Sequence, residues 1–170
     1  VFVSTFVIAS AASASGSMSD TSRPDGGTIN WSLTYDVLKG TASLVISGNG
    51  YMPNSVYKES WHSVLPNTCF ITSVIIKEGV KSIMNNAFAG EAKLSSVTLP
   101  KSLERIGEYA FAGTGITQIV IPENVEYISS IQFNSSIMEN YTVSENNPYY
   151  KSVDGVVYSK DGSVLVAFPN

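Results

Sequence analysis

The sequence VTLPKSLERIGEYAF, residues 97–111, decides the fold, because the same pattern occurs on both sides of it. VIIKEGVKSIMNNAF (74–88) precedes it and IVIPENVEYISSIQF (119–133) follows it, while Tyr141-Thr-Val143 begins a fourth copy. Corresponding positions, such as Ile83, Ile106 and Ile128, recur at a nearly constant interval. A fixed period of roughly 22 residues predicts an array of stacked repeats that bury a shared core.

The pattern also predicts which side chains of a repeat face the core. Each copy begins with two apolar residues around a central one, as in Val97-Thr-Leu99, and alternation along a strand points the central residue outward. Proline then ends the strand in two copies, because it has no N–H to donate. A second apolar pair turns the chain back, and Ala-Phe fills the centre of the coil.

These residues resemble the BspA-type leucine-rich repeat of bacterial and some protist surface proteins. The quoted strand form V-x-I-P, followed by V-x-x-I-G and A-F, carries the resemblance. Gly50-Tyr-Met-Pro53 and Trp61 are similar to the segment that precedes such repeats, and residues 147–162 are similar to the β-rich segment that follows them. The resemblance implies a leucine-rich-repeat solenoid and a role on the cell surface, in adhesion or protein binding.

We therefore expect a mainly β chain with short helical or 3-10 turns. The repeats should occupy residues 73–143, after an N-terminal capping region at 28–72. In that region Ile29, Trp31, Leu33 and Tyr35 alternate with polar residues, which predicts one strand of a β-hairpin cap. Trp61 is expected to cover the first repeat. Residues 144–170 should form a C-terminal β-hairpin segment.

The N-terminal region, 1–27, differs from the rest in composition. VFVSTFVIASAASAS (1–15) is apolar and then small, and Ala12-Ser-Ala14 has the form of a signal-peptidase site, so it is interpreted as the remnant of a secretory signal peptide. Its apolar part is shorter than the ~20 residues of a membrane-spanning helix. A buried N-terminal strand is the alternative. GSMSDTSRPDGG (16–27) has the composition of a flexible linker.

Composition argues against several functions. The net charge is -4 and only 14% of residues are charged, without a basic run, which argues against nucleic-acid binding. No catalytic, cofactor or metal motif occurs, so we expect neither an enzyme nor a cofactor or metal site. His62, with only Glu59 near it, has no dyad partner, and Cys69 is interpreted as a small buried residue.

The outward strand positions are the candidate contact surface, because repeat arrays bind through the extended face of their sheet. This surface is uncharged and partly apolar, which suits a protein or glycan partner, although β-branched residues there could serve strand propensity alone. We call it the contact strip; it comprises Ser73, Ile75, Ser96, Thr98, Gln118, Val120, Asn140 and Thr142.

Two functions follow from these expectations. The first is an extracellular, non-catalytic binding or adhesion module that recognises a host or cell-surface macromolecule. The alternative is a structural spacer or stalk of a larger surface protein, with no ligand of its own. Asn30, Asn134 and Asn140 begin N-x-S/T sequons that a eukaryotic secretory pathway could glycosylate.

Overall fold

A computed structural model describes residues 11–19, 27–53, 61–129 and 137–169. This part of the chain is mainly β and contains thirteen strands and no helix. The strands are β1 (Ala11–Ser19), β2 (Thr28–Asp36), β3 (Thr41–Gly48), β4 (Phe70–Ile76), β5 (Ser82–Ile83), β6 (Ser96–Thr98), β7 (Arg105–Ile106), β8 (Gln118–Ile121), β9 (Tyr127–Ile128), β10 (Asn140–Val143), β11 (Tyr150–Val153), β12 (Val156–Ser159) and β13 (Leu165–Ala167).

The repeat copies stack in parallel at the predicted register. Val74 of β4 lies opposite Val97 of β6, and Ile119 of β8 lies opposite Tyr141 of β10. On a second, shorter sheet β5, β7 and β9 pair in parallel through Ile83, Ile106 and Ile128. Residues that lie one repeat apart in the sequence are thus neighbours in the stack.

Aromatic rings fill the centre of the stacked copies. Phe88 and Phe111 are fully buried, and their rings stack with centroids 5.4 Å apart. Trp61 is also fully buried and stacks on Phe88 with centroids 5.9 Å apart, so it covers the first repeat as expected. Phe133, the corresponding residue of the third copy, lies outside the described residues.

The N-terminal hairpin forms as expected and continues directly into the repeats. β2 and β3 pair antiparallel, with Ile29, Trp31 and Leu33 buried, and β3 then pairs in parallel with β4. One sheet therefore runs from the hairpin to the second repeat, in the order β1-β2-β3-β4-β6.

Strand β1 lies where a signal peptide and a linker were expected. Its residues pair antiparallel with the whole of β2, and Met18 is buried. Residues 16–19, the start of the expected linker, therefore belong to a strand that pairs with β2. Residues 1–10 of the predicted signal peptide and 20–26 of the predicted linker lie outside the described residues.

The short helical or 3-10 turns that we expected do not occur in the described residues. The closing turns of the first two copies contain a non-glycine residue in the left-handed region, Asn86 (φ 56) and Tyr109 (φ 52). A left-handed residue breaks the right-handed run that a helical turn needs. The first two copies close through hydrogen-bonded turns instead, with bonds from Ala89 N to Asn86 O and from Ala112 N to Tyr109 O, both at 3.1 Å.

The parallel ladder is interrupted between the second and third copies. In the described part of the chain β4 pairs with β6 and β8 pairs with β10, but no ladder joins β6 to β8. Val97 and Leu99, which the pattern places in the core, are therefore only half-buried, whereas Ile119 and Ile121 are buried.

The C-terminal segment forms the antiparallel sheet β11-β12-β13. It has one strand more than the hairpin expected in this region. Tyr150, at the start of β11, packs against the third copy, where its hydroxyl donates to Glu126 O at 3.0 Å and accepts from Ile128 N at 3.3 Å. The Tyr150 hydroxyl thus bonds to backbone groups of the third copy that a further strand beside β9 would otherwise pair with.

Removing the hydroxyl of Tyr150 should give a pH-dependent loss of stability. We expect Tyr150→Phe to lower the free energy of unfolding by about 1–2 kcal/mol at neutral pH, because two hydrogen bonds are lost. Burial raises the pKa of the Tyr150 phenol, so its contribution is complete below the ordinary pKa of tyrosine and is lost as the pH rises through the folded-state pKa.

Urea unfolding of both proteins from neutral to alkaline pH checks this prediction. The difference between the native chain and the variant should shrink above about pH 10. A difference that stays constant over that range would contradict the role of the phenol. Burial also raises the pKa of Tyr141, so the free energy of unfolding of the variant should itself still fall somewhat at alkaline pH.

Candidate functional site

The contact strip lies on one face of the parallel strands, as the alternation predicted. Backbone register sets its residues side by side in pairs: Ser73 with Ser96, Ile75 with Thr98, Gln118 with Asn140, and Val120 with Thr142. Ile75 and Val120 are 44% and 62% exposed, so the strip presents two apolar side chains to solvent. Ser73 and Asn140 are half-buried and the other members are exposed.

The strip extends further toward the N-terminus than the repeats do. Ser43 and Val45 of β3 lie opposite Ser73 and Ile75, and the hydroxyl of Ser73 donates to that of Ser43 at 2.8 Å. Sequence reasoning missed these two positions because β3 belongs to the expected cap and not to a repeat. The alternating pattern of β3 was the signal that could have found them.

A groove opens on the strip at the interrupted ladder. Its volume is about 510 Å³, and its floor combines the half-buried Val97 and Leu99 with Ile119. An ion pair between Lys101 Nζ and Glu123 Oε1, 3.5 Å apart, lies among its lining residues. The remaining residues of its lining are Thr98, Gln118, Val120, Pro122, Thr142, Ser144 and Asn146. An apolar floor with polar surroundings is the usual composition of a site that takes an apolar side chain.

Three acidic side chains of the repeats, those of Glu78, Glu104 and Glu123, have structural partners. Glu78, for example, accepts hydrogen bonds from Lys101 N at 2.8 Å and Ser102 N at 3.0 Å, in the next copy. The backbone N–H of Lys101 is the main cause that lowers the pKa of the Glu78 carboxyl. This carboxylate links two repeats and is not poised for acid–base chemistry.

His62, the only histidine in the chain, also has a structural setting. Its Nε2 lies 3.4 Å from Glu91 Oε1, and its ring packs against Trp61 with centroids 5.9 Å apart. Glu59, the partner considered from the sequence, lies outside the described residues. The described residues contain no group of three or more potential metal ligands. Cys69 is buried and unpaired.

The three sequons have different positions. Asn30 is exposed within β2, between its two neighbouring strands, and Asn140 is half-buried at the start of β10. Asn134 lies outside the described residues.

Parallel copies of one short repeat, each with one outward strand face, define a leucine-rich repeat protein. Residues 63–153 match the family described as the BspA type leucine rich repeat region, in six copies. The chain belongs to this family. The three copies and the start of a fourth that the sequence revealed all lie within the matched residues.

Solved structures of bacterial repeat proteins are similar to the chain. A leucine rich cell surface protein from Faecalibacterium prausnitzii is 32% identical with a TM-score of 0.50, over 58% of this chain and 27% of its own. A leucine-rich repeat protein from Eubacterium ventriosum is 21% identical with a TM-score of 0.44, over 91% of this chain and 51% of its own. The chain thus spans about half or less of these proteins. Comparison with curated proteins gives no match.

Within the described residues, the structure contains no helical segment that could span a membrane.

Proposed function

We propose that the chain is a non-catalytic, extracellular binding or adhesion module that uses the contact strip to recognise a protein on a host or neighbouring cell. In this proposal residues 73–143 are part of a solenoid, closed by 28–72 on one side and by 144–170 on the other. Residues 1–15 direct secretion in the precursor.

The exposed, uncharged strip carries this proposal. An outward strand position of an isolated domain could equally hold a polar residue, yet Ile75 and Val120 remain 44% and 62% exposed. Binding surfaces are depleted of charge at their centre and rely on a few apolar anchors that fit pockets. The groove beside Val120 supplies such a pocket, so that one partner could contact both features.

Family membership and the similar cell surface protein support an extracellular role. That similarity, at 32% identity, covers 58% of this chain and 27% of the other protein. A spacer without a ligand is the alternative function, and it predicts that the strip can be changed without consequence.

Charge substitutions in the strip test the proposal. We expect Ile75→Lys and Val120→Lys, alone and combined with Thr98→Lys, to abolish binding in a screen of the chain against extracellular-matrix and host-cell-surface proteins. The physical reason is that a buried, unpaired ammonium opposes association strongly. Surface plasmon resonance with each partner that the screen identifies measures the loss of affinity.

Val164→Lys is the matched control, because Val164 is 56% exposed and lies outside the strip. It should bind as the native chain does. Thermal melts should show that all variants remain folded. Absence of any partner, or equal binding by the strip variants, would favour the spacer.

A further inference from the structure

We propose a second binding site, for a neutral sugar ring, in a polar pocket on the sheet β5-β7-β9. This tyrosine pocket is lined by Tyr51, Asn85, Arg105, Gly107, Glu108 and Tyr127, among others, and has a volume of about 200 Å³. It shares no residue with the contact strip or with the groove. Sites for drug-sized ligands occupy ~300–1,000 Å³, so this pocket suits a single ring.

Contacts to charged side chains hold the two tyrosines of the pocket. The Tyr51 hydroxyl donates to Glu104, and Lys81 Nζ lies 5.7 Å from the centre of the Tyr51 ring. On the other side the guanidinium of Arg105 lies 4.4 Å from the centre of the Tyr127 ring, across the β7–β9 pair. Rings that are fixed before binding lose little entropy when a ligand packs against them.

The pocket also presents a hydrogen-bond donor and an acceptor that are not used elsewhere. Arg105 and Glu108 are both exposed, and within the described part of the chain neither side chain has a hydrogen bond or an ion pair. A guanidinium offers several N–H donors in a plane, and a carboxylate offers two acceptors. Neighbouring hydroxyls of a sugar both donate and accept, so they match this combination.

Gly107 keeps the floor of the pocket open. A Cβ at this position would lie 2.5 Å from Asn85 Oδ1 and 2.7 Å from Asn85 N. Asn85 is itself oriented, because its Oδ1 accepts from Glu108 N at 2.9 Å. A side chain at residue 107 would therefore displace the oriented amide and fill the pocket.

Charge balance favours a neutral ligand. The positive charges of Lys81 and Arg105 are balanced by the negative charges of Glu104 and Glu108. Lys81 Nζ forms an ion pair with Glu104 Oε1 at 3.0 Å. Phosphate and carboxylate ligands prefer a surplus of cations, which this pocket lacks. A polar floor between aromatic rings suits a ring that has both hydroxyls and apolar C–H faces.

Ligand-observed saturation-transfer NMR and calorimetry on the full 170-residue chain test the proposal with D-glucose, D-galactose, D-mannose and N-acetyl-D-glucosamine. We expect at least one of these sugars to bind with a Kd on the order of 1 mM. Glu108→Gln and Arg105→Ala should each weaken that binding roughly tenfold or more, because each removes charged hydrogen bonds. Tyr127→Ala should also weaken it.

Tyr149→Ala is the control, because Tyr149 is an exposed tyrosine outside the pocket. It should bind the sugar normally, and all variants should melt as cooperatively as the native chain. Three results would overturn the proposal: no binding of any neutral sugar, binding that the pocket variants leave unchanged, or preference for glucuronate or a free amino acid. The strip variants should bind sugar normally, so failure of one site is distinguishable from failure of the other.

Discussion

Phe111→Ala is expected to lower the free energy of unfolding by about 3–5 kcal/mol, the usual effect of truncating a buried phenylalanine. Phe111 is fully buried and its ring stacks on Phe88, which in turn stacks on Trp61. Removing the ring leaves a cavity in the centre of the second copy and deprives Phe88 of a neighbour. Because each copy is stable only through its neighbours, the whole stack should weaken together.

Denaturant unfolding followed by tryptophan fluorescence measures this effect, because Trp61 is part of the same stack of rings. Thr98→Ala, on the exposed strip, is the matched control and should change stability by about 0.5 kcal/mol or less. Comparable losses in the two variants would show that the assignment of buried and exposed faces is wrong.

The sequence predicted the features that repetition makes visible. The register of the copies, the central phenylalanines and the outward direction of Ile75 and Val120 all follow from one pattern and its period. The strands of the C-terminal segment also followed, because Asp154-Gly155 and Lys160-Asp-Gly162 mark turns.

Features in which one copy differs from another could not be predicted from the repeat pattern. Val97 and Leu99 satisfy the pattern as well as Ile119 does, yet the ladder beside them is interrupted. No local residue pattern signals that break. The tyrosine pocket likewise joins Tyr51 from outside the repeats to Arg105 and Tyr127 at positions the pattern leaves variable.

Asn147 illustrates a departure that the period could have revealed. The buried residues Val80, Leu103 and Val125 occupy the same position in successive copies, and Asn147 occupies that position in the fourth. The fourth copy thus has a fully buried amide where the others have an apolar side chain. Sequence reasoning placed this asparagine only at the start of the β-rich segment 147–162.

The amide of Asn147 makes four hydrogen bonds. Its Nδ2 donates to Pro122 O at 2.8 Å and to Val125 O at 3.0 Å, while its Oδ1 accepts from the backbone N–H groups of Tyr149 and Tyr150, both at 2.8 Å. The first two bonds satisfy carbonyls of the third copy, and the second two fix the start of β11. We infer that this residue attaches the C-terminal segment to the repeats.

Asn147→Val should therefore destabilise the chain, although it restores the apolar residue of the other copies. The substitution removes the side-chain partner of two carbonyls and two N–H groups. Pro122 O keeps a bond from Val125 N at 3.4 Å, but each buried group left unpaired costs about 1–3 kcal/mol. Solvent can reach some of these groups if the segment detaches, so we expect a total loss of at least ~2 kcal/mol in urea unfolding. A neutral or stabilising Asn147→Val would show that apolar packing dominates at this position.

Asn147→Asp separates the donors from the acceptor. The carboxylate can still accept from Tyr149 N and Tyr150 N, but it places an oxygen instead of an N–H beside the carbonyls of Pro122 and Val125. Full burial and the two carbonyls favour the protonated form of the new carboxyl, which alone can donate, and we expect them to raise its pKa despite the two N–H groups that favour the carboxylate. The deficit of Asn147→Asp relative to the native chain should therefore be largest at neutral pH and shrink as the pH falls toward about 4. Asn146→Asp, one residue earlier and exposed, should show no such pH dependence. If the stability deficit of Asn147→Asp is the same at all pH values, the two bonds that the Asn147 amide donates contribute nothing to the attachment.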